Sequence, residues 1–372
     1  MFLGTKKNDF LRPKKSITKR KYNNKGLFNK RSFSSANLPW IIEETLLDTV
    51  NYALSKKTKS VYDTSANMLE DCRIVMGETM PLPLSERDIL IFVGYNIRKG
   101  NKVGTIRSYL TGLKKYHLAL GFKSFEYNSP LVKEILEGHD KKRRVERAGK
   151  LPIKKFGQTY RLPCTPTILK LIKVELKQSK LSSEEKIFAW AASSLSFYGA
   201  LRGGELLEQE EREFAACDSL LIKDVEICKP DSTGKESVTL RIKNSKTKKG
   251  QAEIVTIYAS DSSNCPVAAV KKVLAITKGH PNDTPLFCDH SGRNFTLKRF
   301  NTILRQISEK HFRQGRISAH SFRSGLVSYF AKLGHSDHDL KVLGGWSSRA
   351  FLEYVKLGRS KRHEMAVKAS YV

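Results

Sequence analysis

Four short segments in the second half of the chain carry side chains able to break a phosphodiester bond without a metal. That reaction needs a nucleophile, a base for its proton, an acid for the leaving oxygen, and fixed positive charge facing the transition state. Arginine suits the last task, because its planar fork stays protonated and matches phosphate oxygens two at a time. Arg202 lies in Tyr198-Gly-Ala-Leu-Arg202-Gly-Gly-Glu205-Leu-Leu, where glycines put it at a helix break and Glu205 is placed to hold its guanidinium. Taken alone, Arg-x-x-Glu is more often a surface pair one turn apart. Lys246 lies in Asn244-Ser245-Lys246-Thr247, within a polar turn that also carries Lys243, Lys248 and Lys249. Composition does not choose among these lysines. His320 and Arg323 are spaced to share one face near a helix N-terminus, where an anion is favoured. Trp346 follows Leu343-Gly-Gly, and its indole either packs in the core or presents its N–H. Tyr354, in Ala350-Phe-Leu-Glu-Tyr354-Val, is a candidate nucleophile, although an arbitrary tyrosine on a short helix is usually just half-buried. Each signal is weak singly; their order along the chain is what carries information.

The elements that must position these residues read as mainly helical with a small antiparallel sheet. An apolar helix through Ile187, Trp190, Ala191 and Leu195 leads into the Arg202 segment. Val238, Leu240 and Ile242 alternate along one strand, and Ile254, Val255 and Ile257 mark its return, so the lysine-rich run is the turn of a β-hairpin. Helices are predicted over Pro266–Thr277, Leu297–Lys310, Ser321–Leu333 and around Phe351–Leu357. Earlier in the chain, Ser85 caps a helix with Ile89, Phe92 and Val93 on one face. Thr105 opens another with Ile106, Leu110, Leu113 and His117, and Ser129–Pro130 starts a third. The predicted organisation is a basic N-terminal arm (1–37), an all-helical domain (38–140), a basic linker (141–163) and a second, mostly helical domain (164–372) that carries the four segments.

Of 372 residues, 67 are Lys or Arg and 37 are Asp or Glu, a net charge of +30 that calls for a polyanion. Nucleic acid is the expected partner class; a general RNA-binding protein would share the composition but has no use for the ordered set. The six cysteines form no C-x-x-C pair, which argues against a zinc ribbon and a secreted disulfide scaffold. His335-x-Asp337-His338-Asp339 reads as a surface loop, so no metal and no cofactor is expected. No apolar run has the roughly 18 residues of a membrane span. The linker, with Lys141, Lys142, Arg143 and Arg144, reads as a solvated loop, a strap along a DNA backbone, or a nuclear localisation signal. The expected location is the nucleus in a eukaryote and otherwise the cytoplasm, while the acid-poor arm also fits a mitochondrial transit peptide.

The series Ala-Leu-Arg202-x-x-Glu205-Leu, Ser-Lys246-Thr, His320-Ser-Phe-Arg323, Leu-Gly-Gly-Trp346 and Tyr354 resembles the signature of the tyrosine recombinase/integrase family over about residues 190–360. Thr105-Ile-Arg107-Ser-Tyr-Leu is similar to that family's core-binding domain. Tryptophan in place of histidine resembles the Cre-like ending. Most bacterial members place the tyrosine nine residues on, whereas Trp346 to Tyr354 is eight, which looks like recombinases of eukaryotic mobile elements of the crypton and DIRS types. The resemblance implies a two-domain C-shaped clamp on duplex DNA and a tetramer assembled on two sites, with the segment after Tyr354 docking onto a neighbour. It implies DNA contacts from Arg107 and the 141–144 cluster. Tyr354 would attack the phosphate to leave a 3′-phosphotyrosine, Arg202 and Arg323 would clamp its oxygens, and His320 would manage the nucleophile's proton. Lys246 would protonate the 5′-oxygen, Trp346 would donate an indole hydrogen bond, and Glu205 would support. Neither metal nor ATP is needed. The rival readings are a silent DNA-binding protein domesticated from such an element and a type IB topoisomerase.

Overall fold

The computed structural model describes residues 56–122, 127–148, 160–208, 219–243, 252–313 and 315–346, and isolated positions at 39, 41–42, 44–46, 49 and 352. The basic arm 1–37, the hairpin turn, the linker from 149 to 159 and, residue 352 apart, the helix predicted around Phe351–Leu357 lie outside them. The chain divides into two compact units, Met1–Ile153 and Lys154–Val372.

The first unit is built from α1 (Lys56–Met76), α2 (Glu86–Arg98), α3 (Val103–Ala119) and α4 (Pro130–Ala148). Ser85 caps α2 through a reciprocal box with Asp88, each side chain bonding the other's backbone N–H, which satisfies two orphan donors at once. Helix α3 begins two residues before Thr105, at Val103 after Lys102, so no hydroxyl caps it. Ser129 and Pro130 do start α4, with the Ser129 Oγ accepting from the Val132 N–H at 3.4 Å. Leu69, Ile89, Phe92, Ile106, Leu113, Val132 and Leu136 form one core, filled from the apolar faces that the helical spacing sets.

Helix α4 corrects the start of the expected linker. Lys141–Ala148 continues the helix rather than leaving it. Lysine, arginine and glutamate are good helix formers. Asp140 pairs with Arg144 one turn on at 2.5 Å, and the first glycine comes only at 149.

The second unit contains α5 (Pro166–Gln178), α6 (Ser183–Tyr198), the single turn α7 (Gly203–Leu206), α8 (Pro266–Ile276), α9 (Leu297–His311), α10 (Ala319–Lys332) and α11 (Asp337–Leu343). Helix α6 is buried along nearly its whole second half, from Phe188 to Phe197, which is why its apolar pattern shows no single face. Around it sit Val238, Leu240, Val270, Phe300 and Phe322 in one continuous core.

The sheet has three antiparallel strands in the order β2 (Val225–Cys228), β3 (Ser237–Ile242) and β4 (Glu253–Tyr258), one more than the predicted hairpin. Its register runs from Val225↔Leu240 on one side and to Ile242↔Glu253 on the other. The alternation of Val238, Leu240 and Ile242 puts all three inside, while Ile254 points outward. Two-residue strands β1 (Tyr160–Arg161) and β5 (Gly315–Arg316) form a separate parallel pair. Among the described residues, no helix is long and apolar enough to cross a membrane.

Candidate active site

Arg202 occupies the N-cap of α7 with extended backbone (φ −80°, ψ 143°). Glu205, one turn along, does two things. Its Oε2 accepts from the Arg202 backbone N–H at 2.7 Å, and its Oε1 meets the guanidinium Nη1 at 2.5 Å. The carboxylate side chain is 6% exposed and that of Arg202 21%, so this Arg-x-x-Glu is a part-buried clamp rather than a solvated surface pair. The glycine that follows permits the packing. A Cβ on Gly203 would stand 2.6 Å from the Ala319 Cβ and 2.7 Å from the Leu297 Cδ1. The first turn of α7 therefore rests directly on the first residue of α10.

Helix α10 carries His320 and Arg323. Its first N–H, that of Ala319, donates to the Asn301 side chain on α9 at 3.0 Å, and the Ser318 N–H donates to Ser321 Oγ at 3.0 Å. His320 is half-buried next to the Ala319–Gly203 contact. Arg323 is buried, at 5% exposure. Its Nη1 donates to the Ala200 carbonyl at 2.7 Å and its Nη2 to the Gly344 carbonyl. Two loops distant in the chain are thus tied to one guanidinium, and one of those loops leads straight into Arg202.

Both loops are shaped to present those carbonyls. Ala200 adopts φ +48°, a left-handed conformation that costs an L-residue of this kind roughly 1–2 kcal/mol and needs the surrounding contacts to hold it. In the second loop Gly345 has φ +59°, which glycine adopts without that cost. A side chain on Gly344 would collide with the Trp346 ring, so the pair of glycines lets the indole fold back over the chain. The ring then lies against Arg323, whose Cζ is 4.4 Å from its centroid. This contact uses the π face of Trp346, a cation–π arrangement worth about 0.5–2 kcal/mol.

The hairpin comes to the same neighbourhood. A Cβ on Gly345 would stand 3.5 Å from Glu253 Oε1, so the first residue of β4 lies over the Gly344–Trp346 loop. At the end of β3, Lys243 pairs with the buried Asp224 at 2.5 Å. Of the four lysines the sequence leaves open, Lys243 is thereby engaged structurally; Lys246, Lys248 and Lys249 lie outside the described residues, as does Tyr354. The structure brings Arg202, Glu205, His320, Arg323 and Trp346 into one region. Sequence reasoning missed Ala200 and Asp224, and it read Gly203 and Gly344 only as a helix break and as the lead-in to Trp346, because Ala200 acts through its backbone and the glycines through the absence of a side chain.

Of the residues expected to meet DNA, Arg107, Lys141, Lys142 and Arg144 are exposed in the first unit. Arg143 is engaged within it, donating to the Gly100 carbonyl at 2.8 Å and the Asn101 carbonyl at 3.3 Å, where it closes the loop after α2. Among the described residues no group of His, Cys, Asp and Glu is arranged to hold a metal ion.

The sequence matches no family model and no curated protein. Solved structures do match. The XerH site-specific recombinase bound to a palindromic difH substrate, in a post-cleavage complex, superposes with a TM-score of 0.55 at 16% identity, covering 83% of this chain and 78% of that one. The pre-cleavage complex of XerH gives 0.54 at 15% identity, over 90% and 92% of the two chains. The Tn1549 transposon integrase in complex with transposon right end DNA gives 0.50 at 16%, over 85% and 95%. At this identity the likeness is one of fold. The chain has the fold of the tyrosine recombinases and integrases, mainly helical with a small antiparallel sheet.

Proposed function

We propose that this protein is a tyrosine recombinase, a site-specific enzyme that cuts and rejoins duplex DNA through a covalent 3′-phosphotyrosine, encoded by a mobile element or a virus. The observation that carries this reading is the pair of bonds from Arg323 to the Ala200 and Gly344 carbonyls. Those bonds gather the Arg202 segment, the His320 helix and the Trp346 loop around one buried guanidinium, in a fold shared with DNA-bound recombinases and integrases.

In the proposed reaction the Tyr354 oxygen bonds to the scissile phosphorus as the bond to the 5′-oxygen breaks. A tyrosine of pKa near 10 is a poor nucleophile until nearby cations favour phenolate. Arg202 and Arg323 supply such charge; the more exposed Arg202 offers its fork to the non-bridging oxygens, while Arg323, held by two carbonyls, gathers the segments around it. His320 takes up the phenol proton and Lys246 gives one to the leaving oxygen. The phosphotyrosine keeps the energy of the phosphodiester, so religation needs no ATP. The partners in this reading are double-stranded DNA and three further copies of the chain, a tetramer on two sites.

A nicked suicide duplex drawn from the DNA flanking the protein's gene tests the reading. Wild type is expected to trap a protein–DNA adduct on denaturing electrophoresis, and Tyr354→Phe none. An adduct of equal yield from Tyr354→Phe would move the nucleophile elsewhere, with Tyr371 the next tyrosine to test.

A further inference from the structure

Asp224 belongs to none of the segments that carry the proposed chemistry, yet it sits at the root of one of them. It closes a 3-10 turn, Ile222–Asp224, at the head of β2. Its side chain is 1% exposed and that of its partner Lys243 is 18% exposed. One carboxylate oxygen, Oδ2, accepts from the Leu221 backbone N–H at 3.0 Å and meets Lys243 Nζ at 2.5 Å. A buried carboxylate is costly unless paired and hydrogen-bonded, and apolar residues of similar volume often stabilise a fold as well as a buried ion pair does. What the ion pair adds is direction, because it ties one named residue to one point.

That residue is the first beyond β3, three positions before Lys246. On the opposite strand the ladder closes with Ile242↔Glu253, and Glu253 lies over the Gly345 loop beside Arg323. Lys243 and Glu253, which bracket the segment bearing the other three lysines, are therefore each anchored, one to Asp224 and the other against the Trp346 loop. We propose that Asp224, acting through Lys243, is a positioning residue for the acid that protonates the leaving 5′-oxygen. The proposal rests on the recombinase reading with Lys246 as that acid.

A change of leaving group separates positioning from stability. In the ordinary substrate the phosphorus–oxygen bond breaks and the departing oxygen takes a proton from the acid. With sulfur bridging at the same 5′ position, the phosphorus–sulfur bond breaks and the thiolate departs without one. The full chain is assayed in single turnover on both nicked duplexes. Asp224→Asn is expected to cleave the oxygen substrate about tenfold to a hundredfold more slowly, within the roughly 10²–10⁴ that a placed acid contributes, and the sulfur substrate at the wild-type rate. Lys243→Arg, which keeps the ion pair, is expected to retain most of the oxygen-substrate rate. Should Asp224→Asn fail to fold in a thermal melt, Lys243→Met is read in its place. Equal loss on both substrates, or no loss on either, overturns the positioning role. Lys246→Ala separates the two ideas. If sulfur rescues it but not Asp224→Asn, only the positioning role falls; if sulfur does not rescue Lys246→Ala, the acid assignment beneath it falls as well.

Discussion

Replacing Gly203 by alanine adds one carbon at the point where the two arginine-bearing segments touch. That carbon would stand 2.6 Å from the Ala319 Cβ and 2.7 Å from the Leu297 Cδ1. Carbon atoms rest at about 3.5–4.0 Å, so each neighbour has to retreat by about 1 Å. Leu297 ends in a flexible side chain and can rotate. The Ala319 Cβ is fixed to the backbone of α10, so relief there moves the helix that carries His320 and Arg323 relative to Arg202. Overpacking of this kind costs about 1–3 kcal/mol of stability. A misplacement of about 1 Å at reacting groups costs roughly 10²-fold in rate. Gly203→Ala is therefore expected to bind its DNA in a gel shift about as well as wild type while forming adduct on a suicide duplex roughly a hundredfold more slowly. Adding Ala319→Gly removes the harder of the two collisions and is expected to recover much of that loss. A Gly203→Ala protein that cleaves at the wild-type rate would refute the argument that the spacing of α7 and α10 aligns the site.

Glu205→Gln keeps the shape but removes the charge that holds Arg202. Breaking a buried pair costs about 3–5 kcal/mol, and the partly exposed Arg202 puts this one toward the low end, measured as a shift in urea midpoint with a matching fall in adduct formation. For Trp346, the face-on contact with Arg323 predicts that Trp346→Phe keeps most of the single-turnover rate and Trp346→Ala loses it; equal losses would point instead to the indole N–H. His117 is buried, and burial holds its pKa below the usual histidine value against the opposing hydrogen bond to Leu113. Its Nδ1–H donates to the Leu113 carbonyl at 2.8 Å and its Nε2 accepts from the Leu84 N–H at 3.0 Å, an arrangement only the neutral ring can make. Because the folded state resists the proton, stability is full above a pH of about 6.5 and falls as pH drops below it; urea melts of wild type should show this slope, and His117→Gln should lack that part of it.

What the sequence makes legible are the places where a side chain announces its own job. Ser85, and Ser129 before its proline, state where α2 and α4 begin. The alternation of Val238, Leu240 and Ile242 states that β3 is half of a hairpin. Strand β2 escapes notice because Val225-Glu-Ile-Cys228 is only four residues long and is recognisable as a strand chiefly by its pairing to β3. The Lys141–Arg144 run misleads for a related reason. Charge density suggests an exposed strap, but those side chains favour helix as readily as coil, and Arg143 finds partners on the loop after α2 that no local pattern reveals.

The candidate site divides along the same line. Arginine, histidine, tryptophan and lysine can be picked out by chemistry and order, and Glu205 by its spacing from Arg202. Arg323, however, is held by two carbonyls, a group every residue carries, and nothing in Ala200 as a residue type foretells φ +48°. The glycines before Trp346 are informative only in retrospect, since their value lies in the ring that folds over Gly344 and the left-handed turn at Gly345. Even the tryptophan is legible as a member of the set but not in its manner of acting. Its type allows a hydrogen bond from the ring edge or a cation against the ring face, and only the folded chain brings the Arg323 guanidinium to the face. The candidate groups can thus be read from side-chain chemistry well before their placement can, because placement here is the work of backbone carbonyls and missing side chains.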